Sequence, residues 1–405
     1  MVIPSVGDLT GLRIAHLIDT DGPGGAERVV AHLATALQAA GAWNVAILPE
    51  DGEGWLARQL AGSGVAIEHF RSPERALSPT FARSLETVLR RHRIAVAHSH
   101  EFTMALYGAW AARRAGVPHV ITMHGSRYYA GRLRRRLAMR AAIALSGRTV
   151  AVSGRLADDM RRDLRVPRSR IAMIANGVPD LHPGRSTLRD ELQLGPHDQL
   201  LVAIGNLYPV KGHQYLIDAL ALLAARHPNV HLAIGGRGGL ADALSARACN
   251  HGLADRVHLL GLRSDVSNLL GAAHIFVLPS LSEGLPLALL EAMFAGCPIV
   301  ASDVGEVAVA LADGEAGVLV EPGSPAALAA ALDALLSNPK RAQDLGERAT
   351  RQARNEYDIA IMVRRYVAAY QELVGCRTLR SLFSRPEHPA TQLPDRNAAS
   401  MGSSS

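Results

Sequence analysis

The sequence has little cysteine, only two lysines and no long apolar run. Its cysteines, Cys249, Cys297 and Cys376, are far apart and odd in number. We therefore expect neither a disulfide framework nor a cysteine metal site, which is typical of a protein of the reducing cytoplasm. No apolar run reaches the 18 residues or so of a membrane-spanning helix. The first residues also lack the basic and apolar regions of a signal peptide. Together these absences predict a cytoplasmic protein.

Positive charge is concentrated in the first part of the chain. Residues 1–180 carry 24 Lys and Arg against 15 Asp and Glu, whereas the remainder carries 19 against 22. This asymmetry indicates an anionic partner such as a membrane surface. No nucleic-acid-binding motif accompanies the charge, so we expect no nucleic acid partner.

Short apolar runs alternate with helix-like segments along most of the chain. The strand candidates are residues 12–18, 45–48, 65–67, 94–97, 119–123, 149–152, 200–204, 230–234, 257–260, 274–278, 298–301 and 317–320. Such alternation predicts βαβ units and parallel sheets. We therefore expect an α/β protein of two doubly wound, Rossmann-like domains facing a central cleft, with ligands at the carboxyl ends of the strands.

The domain bounds follow from a segment rich in Pro, Gly and Asp, residues 179–198. It predicts a linker between a first domain of residues 1–180 and a second of residues 185–355. A long helical stretch is expected from residue 339 to about residue 374, and a C-terminal helix at about 357–375 is expected to pack back on the first domain. Residues 380–405 contain too few apolar residues to fold and are predicted to be disordered.

Residues 279–296 carry the most informative pattern. An apolar run ends at Pro279, a polar loop follows, and Pro286 stands where the first residue of a helix is expected, since its missing N–H has no partner there anyway. A helix N-terminus attracts anions. Glu283 and Glu291, which flank the turn, suit hydroxyl groups instead. An anion with several hydroxyls describes a nucleotide sugar. Out of context, the simpler alternative is that both carboxylates are solvated side chains near a helix end.

With these residues in view, the chain resembles the GT4 family of retaining glycosyltransferases with the GT-B fold, over roughly residues 10–375. The resemblance depends on short motifs that occur in the family's order. These are Gly24-Gly25-Ala26-Glu27, Thr122-Met123-His124-Gly125, Ala151-Val152-Ser153, Asn176-Gly177-Val178, Gly205-Asn206-Leu207 with Lys211-Gly212, Gly235-Gly236-Arg237-Gly238, and Glu283-Gly284-Leu285-Pro286 with Glu291.

The resemblance implies roles for individual residues. Glu291 is expected to hold the ribose hydroxyls, Glu283 the donor sugar, and His124 the sugar near the reacting carbon. The other donor-binding positions are Gly25, Gly284, Leu285, Pro286 and Leu287. The expected acceptor-side positions are Gly24 and Glu27. The other histidines near strand ends, His98 and His100, are expected to be structural.

The resemblance also implies how the diphosphate is held. Lys211 is expected to contact it, because a compact ammonium suits a diphosphate oxygen. Family members usually carry Arg where this chain has Asn206, which cannot supply the charge. We hypothesise that Arg237, or an arginine of the first domain, replaces it. No metal and no cofactor are expected, because no Asp-x-Asp ligand pair stands out at a strand end and because Lys211 and helix dipoles can serve the diphosphate.

The segment from Arg127 to Arg140 contains six arginines among Tyr, Leu and Met residues. It is either a solvated helix face or a basic amphipathic surface that docks on anionic lipid.

The implied function is transfer of a sugar from a nucleotide diphosphate sugar to a hydroxyl of a glycan or lipid-linked acceptor in cell-surface polysaccharide synthesis. Uridine is the expected base, on family frequency alone. The alternatives are a nucleotide-sugar epimerase of the same fold and a non-catalytic protein that binds nucleotide sugars or glycans.

Overall fold

The computed structural model describes residues 9–73, 78–125 and 129–383. Most of the predicted disordered tail and the start of the basic segment, including Arg127, lie outside these residues. Two separate parallel sheets organise the described chain, one of seven and one of six strands. The predicted fold class, an α/β protein with two Rossmann-like domains, is confirmed.

The first sheet has the strand order β3-β2-β1-β4-β5-β6-β7. Its strands are β1 (Arg13–Leu17), β2 (Trp43–Pro49), β3 (Ala66–Phe70), β4 (Val96–His100), β5 (His119–Met123), β6 (Arg148–Ala151) and β7 (Ile171–Met173). The helices of this domain are α1 (Gly25–Ala39), α2 (Trp55–Leu60), α3 (Pro79–Arg91), α4 (Glu101–Ala115), α5 (Leu133–Leu145) and α6 (Gly154–Leu164). The strand order reverses between β1 and β4, so a ligand crevice is expected at their carboxyl ends.

The second sheet has the strand order β10-β9-β8-β11-β12-β13 and reverses between β8 and β11. Its strands are β8 (Gln199–Ile204), β9 (Val230–Gly235), β10 (Val257–Leu259), β11 (Ile275–Leu278), β12 (Ile299–Ser302) and β13 (Val318–Val320). The helices are α7 (Leu188–Glu191), α8 (His213–Leu223), α9 (Ala241–Asn250), α10 (Val266–Ala272), α11 (Leu287–Phe294), α12 (Val307–Ala310), α13 (Pro325–Leu336), α14 (Pro339–Glu356) and α15 (Ile359–Phe383).

Helix α3 shows why the sequence forms these elements where it does. Ser78 precedes it, and its hydroxyl accepts a hydrogen bond from the backbone N–H of Phe81, while Pro79 occupies the first helical position. Phe81, Leu85 and Leu89 follow at helical spacing and are buried. The cap therefore sets where α3 begins, and the apolar face sets which side of the helix is buried.

The helical stretch expected from residue 339 to about residue 374 is two helices, and the second of them corresponds to the C-terminal helix expected at about 357–375. Helix α14 ends at Glu356, and α15 begins at Ile359. Between them, the carbonyl of Tyr357 accepts the N–H of Val178, and the N–H of Ile359 donates to the carbonyl of Val178. The Asp358 carboxylate accepts the N–H of Ala360. The chain breaks its helix here because these bonds tie it to the end of the first domain, where α15 packs against α1.

Within the described ranges, no helix is both long and apolar enough to cross a membrane.

Candidate active site

A cleft of about 630 Å³ lies between the two domains. It is lined by the loops that follow the carboxyl ends of β1, β5, β8 and β11, together with the first turns of α1 and α11. These are the positions at which parallel sheets bind ligands. The cleft therefore combines residues that are far apart in the sequence.

Most of the residues predicted for the site line this cleft. They are Gly24, Gly25, Glu27, His124, Asn206, Lys211, Glu283, Gly284, Leu285, Pro286, Leu287 and Glu291. Arg237 is the exception, because its guanidinium pairs with Glu53 of the first domain and does not line the cleft. The expectation that Arg237 binds the donor beside Lys211 is therefore not met by this arrangement.

Glu283 and Lys211, which were assigned to different parts of the donor, are in direct contact. Nζ of Lys211 lies 2.7 Å from Oε1 of Glu283, and the same oxygen accepts a hydrogen bond of 2.7 Å from the Ser280 hydroxyl. The Glu283 side chain is 9% exposed and that of Lys211 25%. An ion pair this shielded from solvent holds both groups in place more firmly than a surface pair does.

Gly305 packs closely against the backbone of Glu283. Gly305 has φ +61°, and a Cβ there would lie 2.2 Å from the carbonyl oxygen of Glu283. Only glycine fits this conformation and this approach without displacing the loop. Elsewhere in the second domain, a Cβ at Gly236 would lie 1.9 Å from the carbonyl oxygen of Gly205. The glycine-rich loop therefore lets two backbone segments approach closely beside Asn206.

Glu291 forms an ion pair across the cleft. Its Oε1 lies 3.0 Å from Nη1 of Arg28, which belongs to the first domain. The other oxygen, Oε2, is buried and has no hydrogen-bond partner. Burial raises the pKa of Glu291, and the nearby Arg28 guanidinium opposes this shift. A buried acceptor without a partner is costly unless a ligand donates to it, so Oε2 can receive a ligand hydroxyl.

Helix α11 begins one residue later than predicted. Pro286 has φ −74° and ψ 129° and precedes the helix, whose first residue is Leu287. The helix N-terminus still faces the cleft, because both Pro286 and Leu287 line it. Asn176 of the first domain donates from Nδ2 to the carbonyl of Leu285 at 3.1 Å. This bond joins the two domains at the end of the loop.

His124 follows β5 and reaches the cleft from the first domain. Its Nε2 lies 3.3 Å from Nδ1 of His100, and a Cβ at Gly284 would lie 3.5 Å from its carbonyl oxygen. Burial lowers the pKa of His124 to about 4, so its imidazole is neutral near pH 7. A neutral imidazole offers one donor and one acceptor, which suits sugar hydroxyls.

Glu27 folds back over the N-terminus of α1. A Cβ at Gly24 would lie 2.3 Å from its Oε2, so glycine there makes room for the carboxyl group. Glu27 is buried, and burial raises its pKa, with the nearby Asp19 and Asp21 adding to the rise. The Glu27 carboxyl therefore keeps its proton to a higher pH than a solvated glutamate does.

Contrary to expectation, an Asp-x-Asp pair does follow the strand end of β1, as Asp19 and Asp21, and its two carboxylates have different surroundings. Asp19 lines the cleft, whereas Asp21 accepts backbone N–H groups from Leu56 and Ala57 at 2.5 and 3.3 Å. Asp21 therefore caps the start of α2.

Sequence reasoning missed Arg28, Ser280 and the contact of His100 with His124. Arg28 had a local signal, since a cation in the first turn of a helix opposes the helix dipole and needs another reason to be there. Its partner, Glu291, lies 263 residues further along the chain. Only the folded chain shows that pairing.

Comparison with known proteins agrees with the two-domain fold. The family model described as "Glycosyltransferase Family 4" matches residues 23–180, and the one described as "Glycosyl transferases group 1" matches residues 184–352. Together the two models match most of the chain and divide it at the boundary between the two sheets.

Curated relatives are glycosyltransferases. D-inositol 3-phosphate glycosyltransferase of Rhodococcus jostii is 31% identical over 281 residues, which is 64% of this chain and 62% of the relative. Alpha-D-kanosaminyltransferase of Streptomyces kanamyceticus is 28% identical over 70% of this chain and 79% of its own length. An Escherichia coli UDP-Gal:alpha-D-GlcNAc-diphosphoundecaprenol alpha-1,3-galactosyltransferase is 30% identical over 55% of this chain and 61% of its own length.

Solved structures share the fold over nearly the whole chain. Anabaena HepE, crystallised with UDP-glucose, has a TM-score of 0.78 at 22% identity and covers 89% of this chain and 100% of its own. The sucrose-phosphate synthase of Thermosynechococcus elongatus has a TM-score of 0.78 at 18% identity and covers 90% of this chain and 100% of its own. With two doubly wound domains around a shared cleft and both family models matched, the chain belongs to the family 4, group 1 glycosyltransferases of the GT-B fold.

Proposed function

We propose that this protein is a retaining glycosyltransferase that moves a sugar from a nucleotide diphosphate sugar to an acceptor hydroxyl. The observation that carries the proposal is the convergence of the Lys211–Glu283 pair, the open oxygen of Glu291 and His124 on one cleft. An ammonium, two carboxylates and a neutral imidazole match a diphosphate, a ribose and a sugar.

Each group has a chemical task in this proposal. Lys211 neutralises charge on the leaving diphosphate, and the N-terminus of α11 adds unpaired N–H groups. Glu283 orients the sugar and is itself held by Lys211 and Ser280. Glu291 accepts ribose hydroxyls at Oε2. Asn206 cannot supply the second positive charge, and Arg237 does not line the cleft. Arg28 of the first domain does line it, and we assign this charge to Arg28.

The proposed chemistry takes place on one face of the sugar. The bond from the anomeric carbon to the diphosphate oxygen breaks, and the acceptor oxygen bonds to the same carbon on the same face. The acceptor proton passes to the departing diphosphate, so atoms and charge balance. No metal is needed in this scheme, because Lys211 and helix N–H groups receive the developing charge.

Uridine diphosphate sugar is the proposed donor. HepE, of the same fold, was crystallised with UDP-glucose, and the Escherichia coli relative is named for transfer from UDP-Gal. The second of these is also named for a diphosphoundecaprenol acceptor, which supports a lipid-linked or glycan acceptor in cell-surface polysaccharide synthesis. The curated relatives named above are transferases, which favours transfer over epimerisation.

A thermal-shift screen over UDP, GDP and ADP sugars tests the proposal. A donor at 100 times its dissociation constant stabilises the native state by about 2.7 kcal/mol, and we expect this of UDP sugars. The donor found in this way should release nucleoside diphosphate faster when acceptors are supplied. If none of the nucleotide sugars stabilised the protein, the proposal would be contradicted. Epimerised donor formed without acceptor would indicate the epimerase, and binding without turnover would indicate the non-catalytic protein.

We also propose that the protein docks on anionic membranes through α5, as a peripheral protein of the cytoplasmic face. Leu133 and Leu137 lie one turn apart on this helix and are 72% and 53% exposed. Exposed arginines, among them Arg132, Arg134 and Arg140, accompany them. Exposed leucines beside arginines suit the boundary between lipid head groups and acyl chains better than they suit a solvated helix face.

Vesicle sedimentation tests the docking surface. We expect binding to vesicles that contain phosphatidylglycerol, weakened by salt because the charge attraction is screened, and at least several-fold weaker binding after Leu133→Ser and Leu137→Ser together. Leu222→Ser is the matched control, because Leu222 is 60% exposed on α8 of the other domain. No binding to these vesicles would leave the solvated helix face as the explanation. Equal binding by both variants, or binding that salt does not change, would also argue against the docking surface.

A further inference from the structure

Four histidines, of which His16, His98 and His100 are buried, form a row that ends at the cleft. His16 on β1 lies opposite His98 on β4, His100 ends β4, and His124 follows β5. The distances between neighbouring ring centroids along the row are 5.7, 4.1 and 5.7 Å. Burial lowers the pKa of all four, to about 4 for His16 and His124, so the imidazoles are neutral near pH 7. Each neutral ring carries one N–H and one bare nitrogen, so its partners indicate its tautomer.

Three nitrogens of this row, one each from His16, His98 and His100, lie within 4.8 Å of one another, which is a spacing that can hold a metal ion. The chemistry around them argues against a metal. Both nitrogens of His98 are already bonded to hydroxyls at 2.7 Å. Among the described residues, the group of possible ligands contains no carboxylate. A buried dication without an anion is costly, so the row is better explained by hydrogen bonding.

The tautomer of His16 follows from Asn44. Nδ2 of Asn44 donates to the carbonyl of Ala42 and to Gln38, so its Oδ1 is the atom that faces Nε2 of His16 at 3.2 Å. Nε2 of His16 must therefore carry the proton. Nδ1 of His16 is then a bare nitrogen, and it is buried without a partner.

The same argument applies to His100. Its Nε2 is buried without a partner, and its Nδ1 faces Nε2 of His124. Orphaned buried N–H groups are rarer than under-satisfied acceptors. The proton of His100 therefore belongs on Nδ1, where it has His124 as its acceptor.

We propose that His100 is a positioning residue that donates its Nδ1–H to Nε2 of His124 and so holds His124 as the Nδ1–H tautomer. The N–H of His124 is then on Nδ1, the nitrogen that His100 leaves available to the sugar of the donor. This inference rests on the proposed function, because the role of His124 toward a sugar is part of it.

The C-terminal helix holds the other side of the row. The hydroxyl of Tyr370 lies 2.7 Å from Nδ1 of His98, and Thr122 Oγ1 lies 2.7 Å from its Nε2. The hydroxyl of Tyr366 lies 3.1 Å from the same threonine oxygen. His98 is thereby fixed at both nitrogens and packs against His100. Helix α15 thus holds His98, which packs against His100, the ring that contacts His124.

Substitutions at His100 test the proposal in two ways. Asparagine places an amide N–H close to the position of Nδ1, whereas leucine has no donor. We expect His100→Leu to lower the rate of donor hydrolysis about 10–100-fold without changing the dissociation constant of the nucleoside diphosphate. We expect His100→Asn to recover most of the rate. His119→Leu and His119→Asn are the controls, because His119 is equally buried on β5 but bonds to Ser99 and Ser146 instead.

Ring chemical shifts of His124 provide a readout that needs no turnover. In protein labelled with ring-¹³C histidine, wild type and His100→Asn should show the Nδ1–H tautomer of His124, and His100→Leu should lose it. An Nε2–H tautomer in the wild type overturns the proposal outright. Equal rates for the leucine variants at positions 100 and 119 also overturn it. A wild type that turns over no donor contradicts the proposed function instead, and the chemical shifts then still decide the tautomer.

Discussion

Replacing Lys211 by alanine is expected to lower kcat/KM for the donor by about 10³-fold, because the leaving diphosphate loses the ammonium that neutralises it. The change also leaves the Glu283 carboxylate, whose side chain is 9% exposed, without its cation. Both effects act on the transition state, so kcat should fall more than KM rises. Initial rates of nucleoside diphosphate release measure both parameters.

The chain provides a matched control for this change. Lys340 is the other lysine of the sequence, and it forms a surface pair with Asp344 one helical turn away. Lys340→Ala should therefore leave both kinetic parameters within about twofold of wild type, since exposed pairs contribute little. Lys211→Arg keeps the charge but not the compact ammonium, and should retain part of the rate. A Lys211→Ala protein as active as Lys340→Ala would exclude Lys211 from the proposed mechanism.

The parts of the fold that sequence reasoning predicted well are those with strong local signals. Helix α13 has such signals, since Ser324 caps it and Pro325 begins it. The buried strands were recognisable as short apolar runs. The hydrogen bonds that separate α14 from α15 were not predicted, because their partner, Val178, is far away in the sequence.

The same distinction holds for the site. The sequence motifs identified Glu283, Glu291 and Lys211, but only the fold shows that Lys211 contacts Glu283 and that Glu291 contacts Arg28. Arg237 was expected in the cleft and instead pairs with Glu53, since the orientation of a long side chain depends on its neighbours in space. Pairings between domains therefore need the structure.

Glu291→Leu should remove the preference of the protein for ribose over deoxyribose. In the wild type, the buried oxygen Oε2 has no protein partner and is open to a hydroxyl of the nucleotide. A hydrogen bond to a charged group contributes about 1.5–3 kcal/mol, so the wild type should bind a nucleoside diphosphate about 10–100-fold more tightly than its 2′-deoxy or 3′-deoxy analogue. Leucine cannot accept a hydrogen bond, so the variant should bind all three ligands alike. Calorimetric titration of each ligand gives the two ratios.

Arg28→Met separates this role from the ion pair across the cleft. It removes the cation that lies 3.0 Å from Oε1 of Glu291 but leaves the carboxylate in place. Its overall affinity for nucleoside diphosphate should fall, because the cleft loses a positive charge, while the preference for ribose persists. If Glu291→Leu kept that preference, the ribose would have to be bound elsewhere. If Arg28→Met lost the preference for ribose, the whole ion pair would be needed for discrimination. Glu291 would then depend on Arg28 to hold the orientation in which Oε2 meets the sugar.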